Sequence, residues 1–190
     1  MLMLVLGVLL WALVHSSKRL APGVRAGIIE RIGENPYKGI FSLLIIGSLV
    51  LIVFGWRGSV PYSVYRPPQW GHGATVLLML PALILFVSSN MPTNIKRLLR
   101  HPQLAGLALW AIAHLLGNGD RRSVVLFAGL ALWAIAEILL INWREGAWQR
   151  PPAVARKQDL KPVIIGLVVF AVLAWLHPYF TGMPALDLRF

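Results

Sequence analysis

The sequence predicts an all-α, polytopic membrane helix bundle with about six transmembrane helices and a short interfacial helix before the fourth. Three observations carry this expectation. Of 190 residues, 57% are hydrophobic and only 13% charged, about half the charged share of a soluble domain. Mean hydropathy is +0.70. The apolar residues fall into separate runs joined by short basic or proline-containing stretches, read as a single membrane domain over residues 1–190.

The net charge of +11 comes from basic residues placed in loops between apolar runs, as expected of cytoplasmic loops held against anionic lipid. No basic stretch stands apart from the membrane segments, so no nucleic-acid partner is expected. The lipid bilayer is. There is no cysteine, which excludes disulfides, iron–sulfur clusters and thiolate ligands; a metal or haem must be held by histidine, carboxylate or methionine.

Met1–Val14 is the first apolar run, without the basic start or small-residue cleavage site of a signal peptide, and so reads as an uncleaved span. A basic connector with Arg25 and Arg31 leads to Glu34. Tyr37–Trp56 is long enough to cross the hydrocarbon core. Arg57–Gly73 is turn-rich, with Pro61, Pro67 and Pro68 among the interfacial aromatics Tyr62, Tyr65 and Trp70, and His72 closes it. Ala74–Val87 is a third span, with a kink expected at Pro81. Met91–Arg100, with Lys96 and Arg97, reads as the interfacial helix. Leu104–Leu116 is a short fourth span, open to a re-entrant arrangement. Ser123–Ile141 and Val163–Leu176 complete the six, with a basic loop over Trp143–Lys161.

With six spans, thirteen Lys and Arg fall on one side of the membrane and five, including Arg189, on the other. The positive-inside rule then puts both termini outside the cytoplasm.

The fourth span is the most informative stretch. Pro102 suits a first helical position, and Gly117, Asn118 and Gly119 suit a stop in which the backbone turns left-handed. Gln103, Leu107, Trp110, His114 and Gly117 share one helix face. The octet Gly-Leu-Ala-Leu-Trp-Ala-Ile-Ala occurs at 106–113, before His114, and again at 129–136, before Glu137; Trp11 and His15 form a looser third version. In each a polar residue follows a tryptophan by four. The expectation is three helices turning a Trp-x-x-x-polar face to one interior, with Glu137 facing helices rather than lipid.

Neither a nucleophile–histidine–carboxylate set nor a phosphate loop is present, and H-E-x-x-H is absent. The five histidines, His15, His72, His101, His114 and His177, remain. His15 and His114 are the hardest to read as interfacial residues, and each is open to a satisfied helix contact or to a haem ligand, since haem b needs neutral imidazoles and an apolar pocket with aromatic walls, which Trp11 and Trp110 could supply. His72, His101 and Glu137 are alternates. About 20 Å of helix rise separates His101 from His114, so one iron takes only one of them. By depth His114 groups with His72 and His177, and His15 with His101 and Glu137.

The chain resembles the NnrU family of integral membrane proteins. The resemblance rests on His15-Ser16, Ile32-Gly33-Glu34 with Tyr37-Lys38, Tyr65-Arg66-Pro67-Pro68 with Trp70 and His72, and Leu77–Pro81. Its most specific part is Arg100-His101-Pro102 with Gly106, Trp110, Ala113–Leu116 and Asn118-Gly119-Asp120. It implies a bacterial inner-membrane protein linked to denitrification, with an apolar small molecule or respiratory-chain proteins as partners. It also implies homology to the zeta-carotene isomerases, in which haem b is held by histidines at the positions of His15 and His114. The cysteine of their ligand switch corresponds to Ala111 here, so carotenoid-type cis–trans isomerisation is an alternative lacking that switch. A further alternative is a membrane methyltransferase, since Arg100-His101-Pro102 resembles part of that enzymes' motif, with Leu104 where they have tyrosine. A non-catalytic assembly role is the last.

Overall fold

The computed structural model describes residues 1–182, 184 and 185; Arg189, counted above among the basic residues, lies outside them. Seven helices carry the fold: α1 (Leu2–Leu20), α2 (Pro22–Ile32), α3 (Glu34–Arg57), α4 (Gly71–Ser88), α5 (Pro102–Gly117), α6 (Arg121–Glu145) and α7 (Lys157–Thr181). There is no strand among the described residues; Ser63 and Asp120 form one isolated bridge. Five helices, all but α2 and α5, are long and apolar enough to cross a membrane, and α5 is the shorter sixth apolar helix. At 16 residues it is about 24 Å long, less than the hydrocarbon core.

The helices pack in a row: α3 on α1, α1 on α6, α6 on α5, α5 on α4, and α4 on α7. Small residues set the closest crossings, as expected where lipid removes the hydrophobic drive between helices. A Cβ at Gly55 of α3 would collide with the backbone of Leu4 in α1, which is fully buried there. Outward faces carry Leu2, Leu9 and Leu13 on α1, Leu43 and Ile46 on α3, and Leu132 and Leu139 on α6, all exposed. Apolar faces of this extent suit contact with acyl chains.

Loop contacts show that the six apolar helices, taken in chain order, run in alternating directions. The end of α1 meets the end of α6 through Arg19 and Glu145 at 3.5 Å, and Arg100, just before α5, reaches Glu145 at 3.2 Å and the Gly146 carbonyl at 2.7 Å. On the same side Asp159 of α7 accepts hydrogen bonds from the Thr93 hydroxyl at 2.6 Å and from the Asn94 backbone at 2.7 Å. At the other end, the α3–α4 loop lies on the α5–α6 turn, where Val64 N–H donates to the Gly119 carbonyl at 2.8 Å.

The elements differ from the sequence reading in three places. The basic connector is helical, as α2. The interfacial helix expected over Met91–Arg100 shrinks to a 3₁₀ turn, Asn94–Arg97, whose start is fixed by Thr93 Oγ1 accepting from the Ile95 N–H and the Asp159 carboxylate accepting from the Asn94 N–H. The stop after α5 uses no left-handed residue: Asn118 is extended at φ −133°, and the positive-φ residues are Gly33, Gly146 and Gly182. Gly119 is small because the Tyr65 carbonyl occupies the space of its Cβ. Asn118 ends the helix by donating its amide to the His114 carbonyl at 2.9 Å.

Candidate functional site

Two cavities lie on either side of the middle of α5, with Leu83 of α4 lining both. The larger, about 700 Å³, is walled by Leu49, Ile52, Phe86, Leu107, Leu126 and Leu130, and polar at one end with His15, Lys18, Arg19, Gln103 and Glu137. Trp11, Trp110 and Trp133, from α1, α5 and α6, all face it. The repeated octets explain two of them, since each places its tryptophan at the same step of a helix whose small residues are packed away: Ala111 and Ala134 are fully buried.

At the polar end, Trp133 Nε1–H donates to Ser16 Oγ at 3.0 Å, and Ser16 donates to Glu137 Oε2 at 2.8 Å. Glu137 is buried at 7% exposure, so the carboxylate does face helices, but its donor is the Ser16 hydroxyl rather than a histidine, arginine or backbone group. The His15 ring lies 4.2 Å from Trp11 and 5.3 Å from Trp133, centroid to centroid. Its Nδ1–H donates to the Trp11 carbonyl at 2.9 Å. Trp11 Nε1 is buried without a hydrogen-bond partner.

The smaller cavity, about 400 Å³, is lined by His72, Thr75, Met79, His114, Phe170 and His177, among others. His114 repeats the geometry of His15: its Nδ1–H donates to the Trp110 carbonyl at 2.8 Å, and its ring stacks on Phe127 at 4.6 Å. Thr75 ties α4 to this level by donating to the Ala113 carbonyl at 2.7 Å. The Tyr65 hydroxyl closes the end of α5 through the Leu115 carbonyl and the Asn118 carbonyl. Partial burial, helped by the Asp120 carboxylate, holds the Tyr65 phenol above its ordinary pKa. Asp120 caps α6 by accepting from the Arg122 and Ser123 N–H groups.

The structure therefore separates the named residues. His15, Trp11, Trp110 and Glu137 line the larger cavity, whereas His114 and His72 line the smaller. His101 lines neither: its Nε2–H donates to Asn142 at 2.9 Å, joining α5 to α6. Trp133 was marked by the repeated octet; Ser16, Thr75 and Phe127 had no assigned role in the sequence. Ser16 alone carried a signal, its place beside His15.

An axial haem histidine presents one free nitrogen and has the other hydrogen-bonded. His15 and His114 each satisfy this, since their Nδ1–H groups are held by the preceding turn. As a pair around one iron they do not fit this arrangement. His15 lies against Trp133 and His114 against Phe127, and those two are about 9 Å apart along α6. His72 lines the same cavity as His114, and the start of α4 at His72 runs beside Gly117, one turn from His114. Among the described residues no group of three or more His, Asp or Glu is placed to hold a bare metal ion.

No curated protein and no solved structure matches the chain. A family does: residues 3–185 match the NnrU protein family. That match runs from the first residues of α1 to the end of the described chain and takes in both cavities, so this helical membrane protein belongs to the NnrU family.

Proposed function

We propose that the protein is a haem-b-binding component of the bacterial inner membrane that serves nitrogen-oxide respiration, with His114 as one ligand and His72 as the second. The observation that carries this reading is His114 itself: its Nδ1–H is committed to the Trp110 carbonyl, its ring is fixed on Phe127, and it lines a cavity shared with His72. Haem b supplies one-electron chemistry when bound. The chain's part is to hold the imidazole in one tautomer, fix its plane, and exclude water with Met79, Leu83 and Phe170. Membership of the NnrU family supports the link to denitrification, and the surplus of Lys and Arg on the side of Arg19 and Asp159 supports periplasmic termini.

A second reading keeps His15 as the partner of His114, favoured by the matching Nδ1–carbonyl bonds at Trp11 and Trp110. Carotenoid-type isomerisation through a ligand switch is disfavoured, because Ala111 is fully buried and has no donor atom. A methyltransferase role is disfavoured too, since Arg100 and His101 are engaged in joining α5 to α6.

The test is the visible spectrum of protein purified after expression with ample haem. A Soret band lost in His114→Ala and His72→Ala but kept in His15→Ala supports the proposal. Loss in His15→Ala with retention in His72→Ala favours the second reading. A colourless wild-type protein ends both and leaves an assembly role.

A further inference from the structure

The larger cavity is not used by the haem reading, and its shape and chemistry are specific. Leu126, Leu130, Trp133, Glu137 and Ile141 line it along one face of α6, a stripe about 22 Å long. Such a length suits an elongated molecule. Trp11, Trp110 and Trp133 line it from three helices, Trp11 and Trp133 packed edge to face at 6.1 Å, and an aromatic wall of this kind suits a planar ring. Leu49, Ile52, Leu83, Leu107 and Leu126 continue as apolar wall, which suits a hydrocarbon tail.

The polar end offers acceptors. With Nδ1–H held by Trp11, the His15 Nε2 carries a lone pair and has no hydrogen-bond partner among the described residues. Glu137 Oε2 takes the Ser16 hydroxyl, and Oε1 has no donor among the described residues. The nearby cations are drawn elsewhere: Lys18 lies 4.0 Å over the Phe41 ring, and Arg19 pairs with Glu145. An anionic head group brings no O–H donor to these two acceptors and meets the Glu137 carboxylate, and like charges at close range repel. A neutral head with O–H donors meets no such penalty.

We propose that this cavity binds a hydroquinone-type ring carried on a lipid-soluble tail, with ring hydroxyls donating to His15 Nε2 and Glu137 Oε1 and the ring against the tryptophan wall. The head lies at the Ser16–Glu137 level and the tail runs along α6 toward Leu126. Binding alone is proposed, with no transfer of electrons.

The probe is decyl-hydroquinone, titrated into the full-length protein in detergent micelles. Quenching of tryptophan fluorescence is compared with free tryptophan in the same micelles. Saturable quenching is expected, weakened about tenfold in Glu137→Gln, as loss of one hydrogen bond to a charged acceptor implies. Glu137→Gln keeps an oxygen for Ser16, and so keeps the helix contact. Leu107→Trp, which fills the cavity, is expected to abolish the response, while Leu139→Ala on the exposed outward face of α6 leaves it unchanged. Decanoate is expected not to compete. The proposal is overturned if wild-type quenching does not saturate, if Leu107→Trp binds as well as wild type, or if decanoate displaces the hydroquinone at equal concentration. Should a variant fail to elute as a folded species, the wild-type titration and the decanoate competition still decide.

Discussion

Ser16 and Glu137, 121 residues apart in sequence, share a 2.8 Å hydrogen bond that fastens α1 to α6 inside the bundle. The serine also accepts from Trp133, so one hydroxyl satisfies a carboxylate and an indole together. Removing a shared partner of this kind leaves two buried polar groups exposed to the cost of desolvation.

Ser16→Ala is therefore expected to destabilise the protein by about 1–3 kcal/mol, and Ser16→Thr to retain most of the stability. Unfolding in mixed micelles with increasing denaturant measures both. Equal midpoints for wild type and Ser16→Ala would show that the hydrogen bonds contribute nothing net.

The α1–α3 crossing gives a paired test. At Gly55 a Cβ meets the Leu4 backbone, which cannot rotate away, so Gly55→Ala is expected to cost about 1–3 kcal/mol as an overpacked contact. Gly47, on the same helix, has open space at the corresponding point, and Gly47→Ala is expected to gain about 0.5–1 kcal/mol. Thermal unfolding of the two variants in one detergent checks the opposite signs.

Tyr65 makes stability fall at high pH. Its phenol is held above the ordinary value, so the folded state prefers the protonated form. The stability it contributes is fully present below the unfolded pKa of about 10 and is lost as pH rises through the higher folded value. Tyr65→Phe is expected to lower stability at neutral pH by about 1 kcal/mol and to flatten this alkaline fall. An unfolding midpoint series from neutral to alkaline pH reads both effects, and an unchanged slope in Tyr65→Phe would assign the fall to another group.

The sidedness of the loops gives a topology prediction. The turns at Arg19, Arg100 and Asp159 share a face through their mutual contacts, and they carry most of the Lys and Arg. Reporter fusions active only outside the cytoplasm are expected to be active at both termini and silent within the Trp143–Lys161 loop. The reverse pattern would overturn the orientation while leaving the fold intact.

Features confined to one helix were legible in the sequence. The repeated octets do place Trp110 and Trp133 against a common interior, joined by Trp11, and the spacing that showed this is a property of a single helix. Which cavity a polar residue reaches was less accessible, because it depends on rotation between helices. His114 follows Trp110 by four, as Glu137 follows Trp133, yet His114 lines the other cavity. Depth along the spans did group His114 with His72, and His15 with Glu137. Tyr65 was read as an interfacial aromatic because nothing near it in sequence reveals that its hydroxyl caps α5, 50 residues away. The helix expected over Met91–Arg100 is present only as Asn94–Arg97, and its start could not be read for the same reason: Asp159, which accepts from the Asn94 N–H, lies 65 residues on.

Early in α6, Val124–Ala128 forms a π-helical turn, one residue wider than the α-helix around it. Upstream stands the Asp120 cap and within the turn Phe127, fixed on His114; downstream stand Trp133 and Glu137, fixed on Ser16. The wide turn sets the phase between these two groups. Deleting one residue there would rotate one group against the other by about 100°, uncoupling the cap and Phe127 from the serine lock. At this point the chain is constrained in length as well as in composition: a substitution among the valines and leucines changes a contact, while a one-residue deletion changes which way half a helix faces.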